Sequence, residues 1–208
     1  MKKNPFLYDT SAVESHVMIY TGVKELLSEQ FLIDCSPFKN GCGDASLLKS
    51  YSHIVTQLGG ILRDNDYYPY ENGQNNCRWS RPEYHFVNVL PVPVIGFRRV
   101  NSDEDLMAEW LYRYGPLTAG INSASMARYK GGIDEPQEEY CDPETPNHSV
   151  LIVGYNEYVP QNPKEPRVKY WIIKNSWGKE FGDKGYYYLV RGRNACGIAN
   201  DVSLPFVQ

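Results

Sequence analysis

Apolar and polar positions alternate along this chain in two different ways, and the change falls near its middle. Up to about residue 80 the apolar positions recur at helical spacing. Asn4-Pro5 is a plausible helix start, with Asn as the cap and Pro at the first helical position, and Gly22 is a plausible end. Between them Ala12, Val13, Val17, Met18 and Tyr20 fall on more than one side, which predicts a largely buried helix. A second helix is predicted from about Asp44 to Leu58. Leu47, Leu48, Tyr51, Ile54, Val55 and Leu58 form its stripe, and Gly59-Gly60 stop it.

Near residues 86–97 the Val, Pro and Gly of VNVLPVPVIGF predict an extended crossing. Ser102 is the expected cap of one more helix, DEDLMAEWLYRYG. The remainder reads as strands: PLTAGIN, HSVLIVGY, KYWIIKNS and GYYYLVRG, rich in β-branched and aromatic residues. Residues 156–168, with three prolines, are expected to be a surface loop. Helices first and strands afterwards predict an α+β protein with two unlike lobes.

Composition narrows the function. A chain of 208 residues can bury a real core. Its formal net charge of −4 leaves no basic footprint for nucleic acid, and Arg98-Arg99 is a solitary solvated pair. No apolar run reaches the ~18–20 residues of a membrane helix. Residues 1–20 lack the order of a signal peptide, since Asp9, Glu14 and His16 interrupt it. Five cysteines, at 35, 42, 77, 141 and 196, include no C-x-x-C pair, so zinc is not expected. Their wide spacing suits disulfides in an oxidising compartment, and the odd count leaves one thiol over. Disulfides without a leader are reconciled if the chain lacks its natural beginning.

Three segments together resemble the papain and cathepsin family of cysteine peptidases. The most specific is YWIIKNSWGKEFGDKGY at 170–186, similar to the strand and turn around that family's catalytic asparagine. NHSVLIVGY at 147–155 is similar to the segment carrying its histidine. LLSEQFLIDC, then Gly41-Cys42, then DNDYYPYE match markers of the helical lobe. The resemblance covers nearly the whole chain. It implies the two-lobed α+β papain fold, with a helical lobe over residues 1–93 and a strand-rich, barrel-like lobe over 94–208, the cleft between them. By this resemblance His148 is the acid–base, Asn175 its orienter, and Trp177 covers their hydrogen bond. An imidazolium keeps the neighbouring thiol ionised and later protonates the leaving amine, while the asparagine fixes the ring's tautomer. His16, His53 and His85 read as structural.

The pattern breaks at the nucleophile. Glu14 and Ser15 resemble the family's glutamate along its central helix, and counting back without gaps puts the nucleophile on Asn4. NPFLY stands where the family has CWAFS, and no cysteine precedes Cys35. The glutamine of the oxyanion hole, the first strand and any propeptide would lie before Met1. A carboxamide has no thiol proton to give. Thr10 and Ser11 lie roughly 9–10 Å further along a helix, beyond the reach of the base. Cys42 is expected to be the free thiol, a leftover half-cystine, because its family partner would fall near Met1. The other cysteines then pair as Cys35–Cys77 and Cys141–Cys196.

The family's two glycines that receive substrate backbone fall on Asp44-Ala45 or on Ala45-Ser46, according to the anchor chosen. Either way a Cβ stands at a site of close approach. Ala119 and Gly120 would wall the specificity pocket and Asp201 would floor it, favouring a basic residue two before the scissile bond, unless Asp201 turns to solvent. Asn147 is counted among the substrate contacts. Its sequon Asn147-His148-Ser149 is read as accidental.

The resemblance therefore implies a cysteine-type endopeptidase family member of lysosomal or extracellular proteolysis, impaired or silent as written. It would be a monomer without metal or cofactor. Peptide or protein substrates and cystatin-like inhibitors would be its partners, with neither nucleic acid nor membrane. The alternative is a non-catalytic homologue that binds peptides or proteins.

Overall fold

The computed structural model describes residues 6–37, 46–71, 73–79 and 89–208, with the side chains of Phe6 and Leu7 excepted. Asn4, Cys42, Ala45 and His85, and the expected helix start at Asn4-Pro5, lie outside these residues. In chain order the elements are α1 (Phe6–Thr21), α2 (Glu29–Cys35), α3 (Leu47–His53), β1 (Gly60–Ile61), β2 (Val92–Val100), α4 (Glu104–Tyr114), β3 (Leu117–Ile121), β4 (His148–Tyr158), β5 (Val168–Lys174), β6 (Tyr186–Val190) and β7 (Val202–Val207). Among the described residues no helix is long and apolar enough to cross a membrane.

The chain divides into two compact units, Met1–Arg99 with Ser203–Gln208, and Val100–Val202. In the first, α1 ends where expected, at Gly22 with φ of 72°. Tyr8, Ala12, Val13 and Val17 are buried, but Met18, Ile19 and Tyr20 are half exposed. The last turn is therefore not part of the buried helix the sequence suggested, because its apolar residues run out of core to face. Ser46 caps α3 by accepting from the Lys49 amide. The predicted second helix is thus shorter at its start. After His53 it continues to Leu58 as a π-helical turn and stops at Gly59, in the left-handed region. Val13, Val17, Phe31, Tyr51, Ile54, Ile61 and Val94 meet in one core.

Two elements of this unit are not apparent from periodicity. α2 is only seven residues long and starts because the Ser28 hydroxyl accepts from the Phe31 amide. β1 pairs antiparallel with β2, and β7 lies on the other side of β2.

The side chains of α2 hold the following loop. Gln30 donates to Asp34 and to the Gly73 carbonyl, and accepts from the Glu71 amide. Asp34 also accepts from the Asn75 amide and the Tyr67 hydroxyl. The Cys35–Cys77 disulfide closes the same loop.

Glu29 opens α2 close to two other carboxylates. Burial first, then Glu14 and Asp64, raise it from an ordinary value near 4.5 to about 7. The folded state therefore holds a proton there that the unfolded chain releases above about 4.5. This contribution is complete below that pH and is lost as pH rises through 7. The group is partly exposed, so the screened effect is on the order of 1–2 kcal/mol. Urea melts between pH 4.5 and 8 should show Glu29→Gln with the shallower fall in stability, and equal slopes would refute the assignment.

In the second unit, β3, β4, β5 and β6 form an antiparallel sheet in that order. The expected strands are all present. β4 runs on to Tyr158, so residues 156–158 belong to the strand and not to the loop, held by pairing with Val168–Tyr170. A bulge between Ile152 and Gly154 shifts the register. The cap of α4 is Asp103 rather than Ser102. Its carboxylate accepts from the amides of Asp105 and Leu106, which an anion at a helix start does better than a hydroxyl one residue earlier.

Candidate active site

β3 and β4 pair so that Ile121, the last residue of one, faces His148, the first residue of the other. The Asn147 amide donates to the Ile121 carbonyl, fixing the entry to β4. β5 ends at Lys174, and the next residue, Asn175, is anchored by its amide to the Gly185 carbonyl at 3.0 Å. Strand order thus delivers a histidine and an asparagine to the same end of the sheet.

There His148 Nε2 lies 2.9 Å from Asn175 Oδ1, and both residues are buried. The Ser176 amide also donates to Oδ1, at 2.9 Å, which identifies that atom as the carboxamide oxygen. An oxygen can only accept here, so Nε2 carries the hydrogen. Nδ1 is then the nitrogen of the neutral ring able to take up a proton. The Trp177 ring packs on the imidazole with centroids 5.3 Å apart, and Phe181 meets Trp177 edge-on at 5.0 Å.

The turn behind Trp177 depends on glycine. Gly178, Gly182 and Gly185 all have positive φ, and a Cβ on Gly182 would lie 2.3 Å from the Tyr186 carbonyl oxygen.

The expected specificity residues are also in this unit. Gly120 donates its amide to the Asp201 carbonyl at 2.8 Å, and a Cβ built on Gly120 would lie 3.6 Å from Asp201 Cβ. Ala119 is wholly enclosed, and Asp201 is part-buried. Asn147 is exposed, and its Oδ1 accepts from both the amide and the hydroxyl of Ser123. Ser123 was not apparent from the sequence; a serine two residues past a strand carries no signal of its own. Cys141 and Cys196 form the expected disulfide. His53 Nε2 donates to the Cys35 carbonyl oxygen at 2.8 Å, as a structural histidine does. Among the described residues no group of three or more His, Cys, Asp or Glu side chains could hold a metal ion.

The geometry has many counterparts. The model of the papain family cysteine proteases matches residues 9–206. Cathepsin F of Drosophila melanogaster is 35% identical over 192 residues, covering 91% of this chain and 30% of its own length. The probable cysteine protease RD19D of Arabidopsis thaliana is 36% identical over 208 residues, covering 96% of this chain and 54% of its own. Among solved structures, digestive procathepsin L 3 of Tenebrio molitor larval midgut superposes with a TM-score of 0.80 at 31% identity, over 99% of this chain and 64% of that one. Procathepsin L2 from the same source gives 0.83 at 29%, over 99% and 61%. The chain thus spans between 30% and 64% of the length of these proteins. On this agreement of sequence and α+β fold, the chain belongs to the papain family of cysteine proteases.

Proposed function

We propose that this chain is a papain-type endopeptidase homologue with the acid–base half of its site built and the nucleophile position held by Asn4, so that as written it does not turn over peptides. The observation that carries this reading is that Asn4, and not cysteine, stands at the position aligned with the nucleophile, while His148 and Asn175 are hydrogen-bonded. In peptide hydrolysis by this chemistry the sulfur bonds to the carbonyl carbon as its proton passes to the imidazole, which then protonates the departing amine. Asn4, at the nucleophile position by this reading, has a carboxamide and no thiol proton to pass to the imidazole. A triad lacking one member retains at most about 10³- to 10⁴-fold over water.

The two disulfides support an oxidising setting, lysosomal or extracellular. Asp201 beside Gly120 supports a preference for a basic residue two before the scissile bond. A second reading, a non-catalytic module that captures peptides or proteins, is favoured by the Cβ-bearing residues Asp44, Ala45 and Ser46 around the family's glycine pair.

An assay with a dibasic fluorogenic peptide is expected to show no hydrolysis beyond a trace. Hydrolysis abolished by a thiol-directed epoxide would overturn the proposal. Saturable capture of the uncut peptide would favour the module.

A further inference from the structure

On the second unit, apart from the His148 pair, Ala124, Ser125, Arg128, Tyr129, Asp134 and Tyr140 line an open cavity of about 280 Å³. At ~30 Å³ per water this holds the bulk of about nine waters, close to one amino acid of ten non-hydrogen atoms.

Its polar groups are arranged with one chemistry. The Tyr187 hydroxyl donates to Asp134 Oδ2 at 2.7 Å and lies 2.9 Å from Ser125 Oγ. Burial holds the Tyr187 phenol far above its ordinary pKa, so it keeps the proton it donates. Ser125 must then give its own proton to Tyr187. Its other close neighbours are the sulfurs of the Cys141–Cys196 disulfide, which carry no hydrogen. The Ser125 oxygen and the second oxygen of Asp134 are therefore acceptors for a donor in the cavity. Arg128 is exposed and forms no ion pair among the described residues.

A ligand with an ammonium for Asp134 and Ser125 and a carboxylate for Arg128 satisfies all three. The rim selects further. Residues 134–144, DEPQEEYCDPE, carry six acids and no base, and Tyr140 offers an exposed ring. Both favour a second positive charge.

We propose that this cavity binds a basic α-amino acid in its zwitterionic form, at a site separate from the His148–Asn175 pair and independent of whether the chain hydrolyses peptides.

The test is a ¹H–¹⁵N titration of the whole chain with L-lysine. Saturable shifts are expected at the amides of Ala124, Ser125, Arg128 and Tyr140. Cadaverine, which lacks the carboxylate, and Nα-acetyl-lysine, which lacks the α-ammonium, should bind at least about fivefold more weakly, as loss of one charged contact of about 1 kcal/mol implies. Arg128→Gln, at an exposed position, should weaken lysine by about tenfold with the melting temperature unchanged. Asp134→Asn should weaken lysine and cadaverine alike. The proposal fails if no saturation is reached by about 10 mM lysine, if cadaverine matches lysine, or if Arg128→Gln binds as the parent does.

Discussion

With cysteine in place of Asn4, labelling by a thiol-directed epoxide is expected to stay nearly constant from pH 8 down to about pH 5, whereas adding His148→Ala should make it fall by about 10³-fold over the same range. An ordinary thiol has a pKa near 8.5, and below it the reactive thiolate drops tenfold per pH unit. In a close pair with an imidazolium the pKa falls to about 3–4, so the thiolate persists at pH 5. The absolute rate is a poorer guide, because a less basic thiolate is also a weaker nucleophile. The slope is free of that offset. Asn175→Ala should give an intermediate profile, since the ring loses the acceptor that orients it through Nε2. Equal slopes with and without His148 would show that residue 4 does not stand where the nucleophile belongs.

Replacing Glu104 by alanine is expected to destabilise the second unit by about 3–5 kcal/mol, and by glutamine roughly half as much. Glu104 is buried at the first turn of α4. Its Oε2 accepts from the Trp171 indole at 2.6 Å, and its Oε1 accepts from the Asn194 amide at 2.6 Å. Alanine leaves both donors without that acceptor, one of them on a fully buried ring. Glutamine retains one oxygen and turns an NH₂ toward the other donor. Asn194 in turn accepts from the Ala199 amide and donates to Asn200, so the loop leading to Asp201 depends on the same carboxylate. Denaturant melts monitored by Trp fluorescence would measure the loss. A change below about 1 kcal/mol in the alanine variant would show that the network is dispensable.

What could be read from the sequence follows from how far each signal extends. α1, α4 and the strands β3–β6 carry periodic patterns long enough to declare themselves, and the His148 and Asn175 segments carry motif residues. α2 is too short for a helical stripe and rests on the Ser28 hydroxyl. β7, VSLPFV, contains Pro205, which argues against a strand until its place beside β2 is known. The choice between Ser102 and Asp103 as cap turned on a one-residue boundary. At the site, sequence could name the imidazole and the carboxamide. It could not show that Ser176 fixes the carboxamide's orientation or that Ser123 holds Asn147, because those contacts use backbone amides and a short hydroxyl that any residue pattern permits.

The loop held by α2 is tied down on both flanks of Gly73. Upstream, Glu71 is bound to Gln30; downstream, Cys77 is joined covalently to Cys35. Scission of the exposed bond between Gly73 and Gln74 would therefore release neither end. A nicked molecule would elute and migrate as an intact one, and would separate into two fragments only when denatured with reductant.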